Sequence, residues 1–212
     1  MAAGRTRSEA VTEVLAGAFI RGLGVLPPSV AGRLSRRALQ FDGQQLDPHL
    51  ALLSSLADRV NPQEAGASAA EQREQLRASM SMIAGRPLSG VKVRELSVAG
   101  GEGPLAARLY SPVVSGLDRP PLVVWLHGGG WAVGDLDTHD QPCRYLARYG
   151  RQAVLSVAYR LAPESPFPAA VDDALAAFDW AVEHAADLDC DPTRVAIGGD
   201  SAGGNLAAVV SQ

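Results

Sequence analysis

Five consecutive apolar residues, Leu122-Val123-Val124-Trp125-Leu126, run directly into His127-Gly128-Gly129-Gly130. No other feature restricts the fold of this chain as much. A strand with one wet face alternates apolar and polar residues, whereas an unbroken apolar run bounded by turn signals reads as a strand covered on both faces. The covering helices are present in alternation. The pattern predicts a helix from His139 to Tyr149, a strand from Ala153 to Val157, a helix from Ala169 to Ala186 and a strand from Arg194 to Ile197 that ends in glycines. Such alternation predicts an α/β fold around a mostly parallel sheet. Two further strands, Val91 to Val98 and Leu105 to Tyr110, are expected ahead of the run.

Residues 1–87 follow a different period. Val11, Val14, Leu15 and Ala18 recur at helical spacing, and Leu50, Leu53 and Leu56 follow Asp47-Pro48, an acidic cap with proline at the first helical position. Pro27-Pro28-Ser29 separates the first two of three or four short helices, and Gly85-Arg86-Pro87 ends the last. The expected organisation is a helical cap region, 1–87, followed by an α/β core, 88–212.

Composition bounds the partners. With a formal net charge of -4 and 5% aromatic residues, the chain lacks the basic, aromatic-studded surface of a nucleic-acid binder. Basic residues are almost all arginine, with Lys92 the single lysine; Arg5, Arg7, Arg21, Arg33, Arg36 and Arg37 make residues 1–41 locally basic. That segment reads as a solvated face, with contact to a membrane surface as the alternative. Cys143 and Cys190 have neither C-x-x-C spacing nor histidine neighbours, so no metal or cofactor site and no disulfide framework is expected. Val14 to Ile20 is too short an apolar run to span a bilayer, and a cytoplasmic protein is the expectation. A homo-oligomer is left open.

Chemistry concentrates at two glycine-rich turns. Gly199-Asp200-Ser201-Ala202-Gly203-Gly204 follows a predicted strand and precedes the helix-compatible Asn205 to Val210. This is G-x-S-x-G in the strand–turn–helix context that presents a serine hydroxyl at a helix N-terminus. Ser201 is therefore the candidate nucleophile, with Gly199 and Gly203 as the small residues that the tight turn requires. In the second turn, His127-Gly128-Gly129-Gly130-Trp131, glycines let main-chain N–H groups converge on a ligand. The N–H groups of Gly128, Gly129 and Ala202 are the expected donors to a developing oxyanion. No lysine follows with the spacing of a phosphate loop, and G-x-G-x-x-G is absent.

With Tyr159-Arg160-Leu161-Ala162-Pro163-Glu164 between them, these two motifs resemble the hormone-sensitive-lipase-like family of α/β-hydrolase esterases. The resemblance runs from about residue 90 to the end. It implies hydrolysis of carboxylic esters with short or medium acyl chains through a serine-bound acyl intermediate. By position it makes Ser201 the nucleophile and Gly128, Gly129 and Ala202 the oxyanion hole, with His127, Gly130, Asp200 and Glu164 in supporting places. Arg160 and Glu164 are expected to pair in a structural loop.

One element of the family pattern is missing. In α/β-hydrolases an acid and then a histidine follow the serine along the chain. Ala202 to Gln212 contain neither. The expectation is thus the N-terminal portion of such an enzyme, truncated after the elbow helix and inactive alone, with the last strand left as an open sheet edge. His139 is the weak candidate for a substitute base. The alternatives are a non-catalytic ligand-binding or remnant protein, and an acyl-transfer site directed at amides or lactones.

Overall fold

The computed structural model describes residues 22–35, 40–60, 66–114, 116 and 118–212. The helical repeat expected around Val11 to Ala18 lies outside them. Two compact units form: residues up to Ser68 with Ser79–Gly85, and Ala69–Ala78 with Arg86–Gln212. Among the described residues no helix is long and apolar enough to cross a membrane.

In the first unit, helix α1 (Pro28–Leu34) packs on α2 (Pro48–Val60), and β1 (Gln40–Phe41) pairs with β2 (Gln44–Gln45) in a two-strand ribbon. The start of α2 follows from its sequence. The Asp47 carboxylate accepts the N–H groups of His49 and Leu50 at 2.9 and 3.2 Å, two donors that have no intrahelical partner. Helix α3 (Ala69–Ala84) contributes its first ten residues to the second unit.

The second unit is a five-stranded sheet in the order β3-β4-β6-β5-β7, formed by β3 (Val91–Gly100), β4 (Gly103–Pro112), β5 (Leu122–Leu126), β6 (Ala153–Val157) and β7 (Val195–Gly199). β6, β5 and β7 are parallel, as the intervening helices require, and β7 is the outer strand. β3 and β4 have only a tight turn between them, so they form an antiparallel hairpin that joins β6 antiparallel. The sheet is therefore an α/β sheet with a parallel centre and an antiparallel flank.

Helix α4 (Asp140–Gly150) covers one face and α5 (Ala169–His184) with α6 (Ala202–Val210) the other. Every residue of β6 is buried; Ala153, Leu155 and Val157 join the α5 side while Val154 meets Cys143 and Ala147 of α4. On α5 the stripe Ala170, Ala174, Ala177 and Ala181 is buried against the sheet, its small side chains letting the helix approach closely. Each fully buried leucine or valine here stabilises the fold by roughly 1.5–3 kcal/mol. This packing brings the C-terminal ends of β5 and β7 side by side.

Candidate active site

The turn between β7 and α6 is strained and crowded. Ser201 takes φ 50°, ψ −117°, a left-handed conformation that an L-residue adopts at a cost of order 1–3 kcal/mol. Gly203 N–H donates to the Asp200 carbonyl at 2.8 Å and Asn205 N–H to the Ser201 carbonyl at 3.0 Å, closing the first turn of α6. A Cβ on Gly203 would overlap the Leu126 carbonyl at the end of β5, and one on Gly199 would strike the same carbonyl and the Gly203 backbone. The glycines thus let the elbow nest on the neighbouring strand, and Ser201 stays exposed above it.

The second glycine turn leans on the first. Gly129, Gly130 and Trp131 are all left-handed, at φ 128°, 59° and 59°, and Gly134 follows at 96°. Ala132 and Val133 both donate to the Gly129 carbonyl, at 3.1 and 3.0 Å. Among the described residues no acceptor takes the N–H of Gly129 or Gly130, and Ala202 N–H is the first of its helix. Gly128 differs from the expectation. Its N–H donates to Asp200 Oδ1 at 3.0 Å, and a Cβ there would hit the Asp200 carboxylate. Asp200 therefore binds the glycine turn to the elbow, and its bond occupies the Gly128 donor.

His127 is buried and stacked on Tyr159, with ring centroids 4.4 Å apart. Its Nδ1 lies 2.9 Å from the Gly128 carbonyl, which only accepts, so Nδ1 carries the proton. Burial lowers its pKa and keeps the ring neutral. The Tyr159 hydroxyl donates to the His127 carbonyl at 2.6 Å. His139 sets Nε2 at 3.3 Å from Asp200 and Nδ1 at 3.0 Å from Thr138 Oγ1. His49 is bonded to the Leu26 carbonyl and His184 to the Trp180 carbonyl. Among the described residues no histidine hydrogen-bonds the Ser201 hydroxyl.

The expected Arg160–Glu164 pair does not form. Arg160 reaches instead to the start of α5, where Asp173, fully buried, accepts its backbone N–H at 2.8 Å and its Nε and Nη2 at 2.9 Å each. Gly101 N–H adds a further bond at 2.9 Å. Burial alone would raise the Asp173 carboxyl, but the guanidinium and the two N–H groups outweigh it and hold it below its ordinary value. Glu164 is gripped by Arg73 of α3, a residue that sequence reasoning passed over because nothing distinguishes it from other arginines on a polar helix. Beside the glycine turn lies an apolar cavity of about 490 Å³, lined in part by Trp131, Phe167, Pro168, Val171, Leu206 and Val209.

A parallel sheet whose strand ends carry a strained serine elbow and a left-handed glycine turn defines an α/β-hydrolase fold. Residues 123–212 match the family model for the alpha/beta hydrolase fold. The chain is 48% identical over 198 residues to the carboxylic ester hydrolase LipN of Mycobacterium tuberculosis, covering 90% of this chain and 52% of that one. It is 41% identical over 177 residues to an ethyl acetate hydrolase of Pseudomonas putida, covering 78% and 54% respectively. Among solved structures, a hyperthermophilic esterase from the archaeon Pyrobaculum calidifontis superimposes with a TM-score of 0.68 at 38% identity, over 76% of this chain and 52% of that one. The chain has the α/β-hydrolase fold, as its motifs led us to expect, and spans about half the length of the curated relatives it matches.

Proposed function

We propose that this chain carries the nucleophile and oxyanion site of a carboxylic ester hydrolase. The observation that carries the reading is the juxtaposition of Ser201, at a strained helix N-terminus, with a glycine turn whose Gly129 and Gly130 N–H groups have no acceptor among the described residues. Ser201 Oγ adds to the ester carbonyl as its proton passes to a general base. Charge gathers on the carbonyl oxygen, and the N–H groups of Gly129, Gly130 and Ala202 receive it, each such donor contributing about 2.7–4 kcal/mol to the transition state. Collapse breaks the ester C–O bond and the alcohol leaves with the proton. Water then hydrolyses the acyl-serine by the same steps in reverse.

The base is assigned to a histidine other than the four in this sequence, since each of those is engaged elsewhere. The relatives' activities, ester hydrolysis in general and ethyl acetate hydrolysis in one case, support an ester of short or medium acyl chain. The apolar cavity beside Gly130 has a size suited to a small apolar group.

The test is hydrolysis of p-nitrophenyl acetate and butyrate by the protein expressed from the whole reading frame that contains this sequence, beside Ser201→Ala and beside the 212-residue chain. Turnover that disappears with Ser201→Ala is expected; turnover that persists in that variant would sink the assignment. A second reading, a non-catalytic ligand-binding protein, is favoured by the lack of a histidine bonded to Ser201 among the described residues. It predicts ester binding with no Ser201-dependent turnover in either form.

A further inference from the structure

We propose that Arg73 is the positioning residue of the glycine turn. The inference rests on the proposed role of Gly129 and Gly130 and begins from the backbone. Three successive left-handed residues, the last of them Trp131 with a full side chain, do not hold such a path unless their surroundings over-determine it. Here the restraint comes immediately after the strained residue. The Trp131 carbonyl accepts the Ala162 N–H at 2.8 Å, and the next carbonyl, Ala132, accepts Arg73 Nε at 2.8 Å.

The same guanidinium completes the tie. Its Nη2 donates to the Ala162 carbonyl at 2.8 Å, and its Nη1 and Nη2 fork onto the Glu164 carboxylate at 2.9 and 2.7 Å. One planar group therefore joins both sides of the junction between the glycine turn and the 162–164 segment. Glu164 is largely exposed, so its contribution is to orient the fork more than to supply energy. Lysine, a point charge on a flexible stem, lacks the geometry to make these bonds together. Among the described residues Arg73 hydrogen-bonds Ala132, Ala162 and Glu164 and not the oxyanion donors, so it acts through the main chain that carries Gly129 and Gly130.

The first test is amide hydrogen exchange on the chain itself with Arg73→Lys and Arg73→Ala. The Ala132 and Val133 amides, which close the turn on the Gly129 carbonyl, are expected to exchange at least ~10-fold faster in both variants. Exchange in β5, β6 and β7 is expected to stay as it was. The second test is kinetics of the same variants in the protein from the whole reading frame. Misplacing donors without deleting them is expected to lower kcat by ~10–100-fold with KM within about twofold. Millimolar guanidinium ion is expected to restore part of the loss in Arg73→Ala and none in Arg73→Lys. Unchanged exchange at 132 and 133, exchange raised equally throughout the sheet, or unchanged kcat would each overturn the proposal. Persisting turnover in Ser201→Ala would instead remove the esterase reading, leaving the exchange result to judge Arg73.

Discussion

Asp173 offers a stability test that does not depend on catalysis. It is fully buried and accepts the backbone N–H groups of Arg160 and Gly101 together with Nε and Nη2 of the Arg160 guanidinium. Asp173→Ala leaves these donors facing a void, and breaking one side of a buried pair typically costs about 3–5 kcal/mol. Arg160 keeps Glu102, 2.7 Å away, and is partly open to water, which places the expected cost near the low end, about 3 kcal/mol. For a chain of this length that is a fall of about 6–12 °C in Tm.

The pH dependence follows from the lowered Asp173 carboxyl. A carboxylate whose folded pKa is depressed adds stability that is complete above its unfolded pKa of about 3.9 and is lost as the pH falls through the folded value. The gap between wild type and Asp173→Ala, measured by urea unfolding followed by circular dichroism, is therefore expected to be level from about pH 5 to 7. Below about pH 4 it is expected to narrow. A gap under about 1 kcal/mol at pH 7 would refute the buried-pair argument. A gap unchanged at the lowest pH would refute its electrostatic origin.

Two glycines of the site are needed for different reasons, and alanine separates them. Gly203→Ala pushes a methyl into the Leu126 carbonyl and is expected to cost more than about 3 kcal/mol or to block folding, whereas Gly130→Ala meets open space and carries only the left-handed penalty, about 1–2 kcal/mol. Comparable unfolding midpoints for the two would contradict the close approach of elbow and strand. Burial pushes the Cys143 thiol up to about 12 and the Cys190 thiol up to about 11. At pH 8 an aromatic disulfide reagent is expected to label neither in the folded chain and both in urea; labelling of the native chain at the rate of free cysteine would show those sites to be open.

Much of this fold is local and could be read without a structure. The strand Leu122 to Leu126, whose Val123 and Trp125 are only partly buried where full cover was expected, the Asp47-Pro48 helix start and the strand–turn–helix setting of Ser201 depend on periodicity, capping and glycine's conformational range, all properties of neighbouring residues. The resemblance that these motifs carried led to the right fold for the same reason. The partners of the charged groups were a different matter. Arg160 next to Glu164 in sequence suggests a pair, yet the fold sends Arg160 to Asp173 and gives Glu164 to Arg73. Asp200 takes the Gly128 N–H from across 72 residues, and β4 meets β6 antiparallel through a contact that no local pattern specifies. A charged side chain has the same sequence signature whether it ends in water or on a distant backbone. From Val91 onward helix, strand and turn were thus legible in the sequence, while the ribbon at Gln40–Phe41 and Gln44–Gln45 within the expected helical cap was not, and which donor meets which acceptor was decided only when packing brought the ends of the strands together.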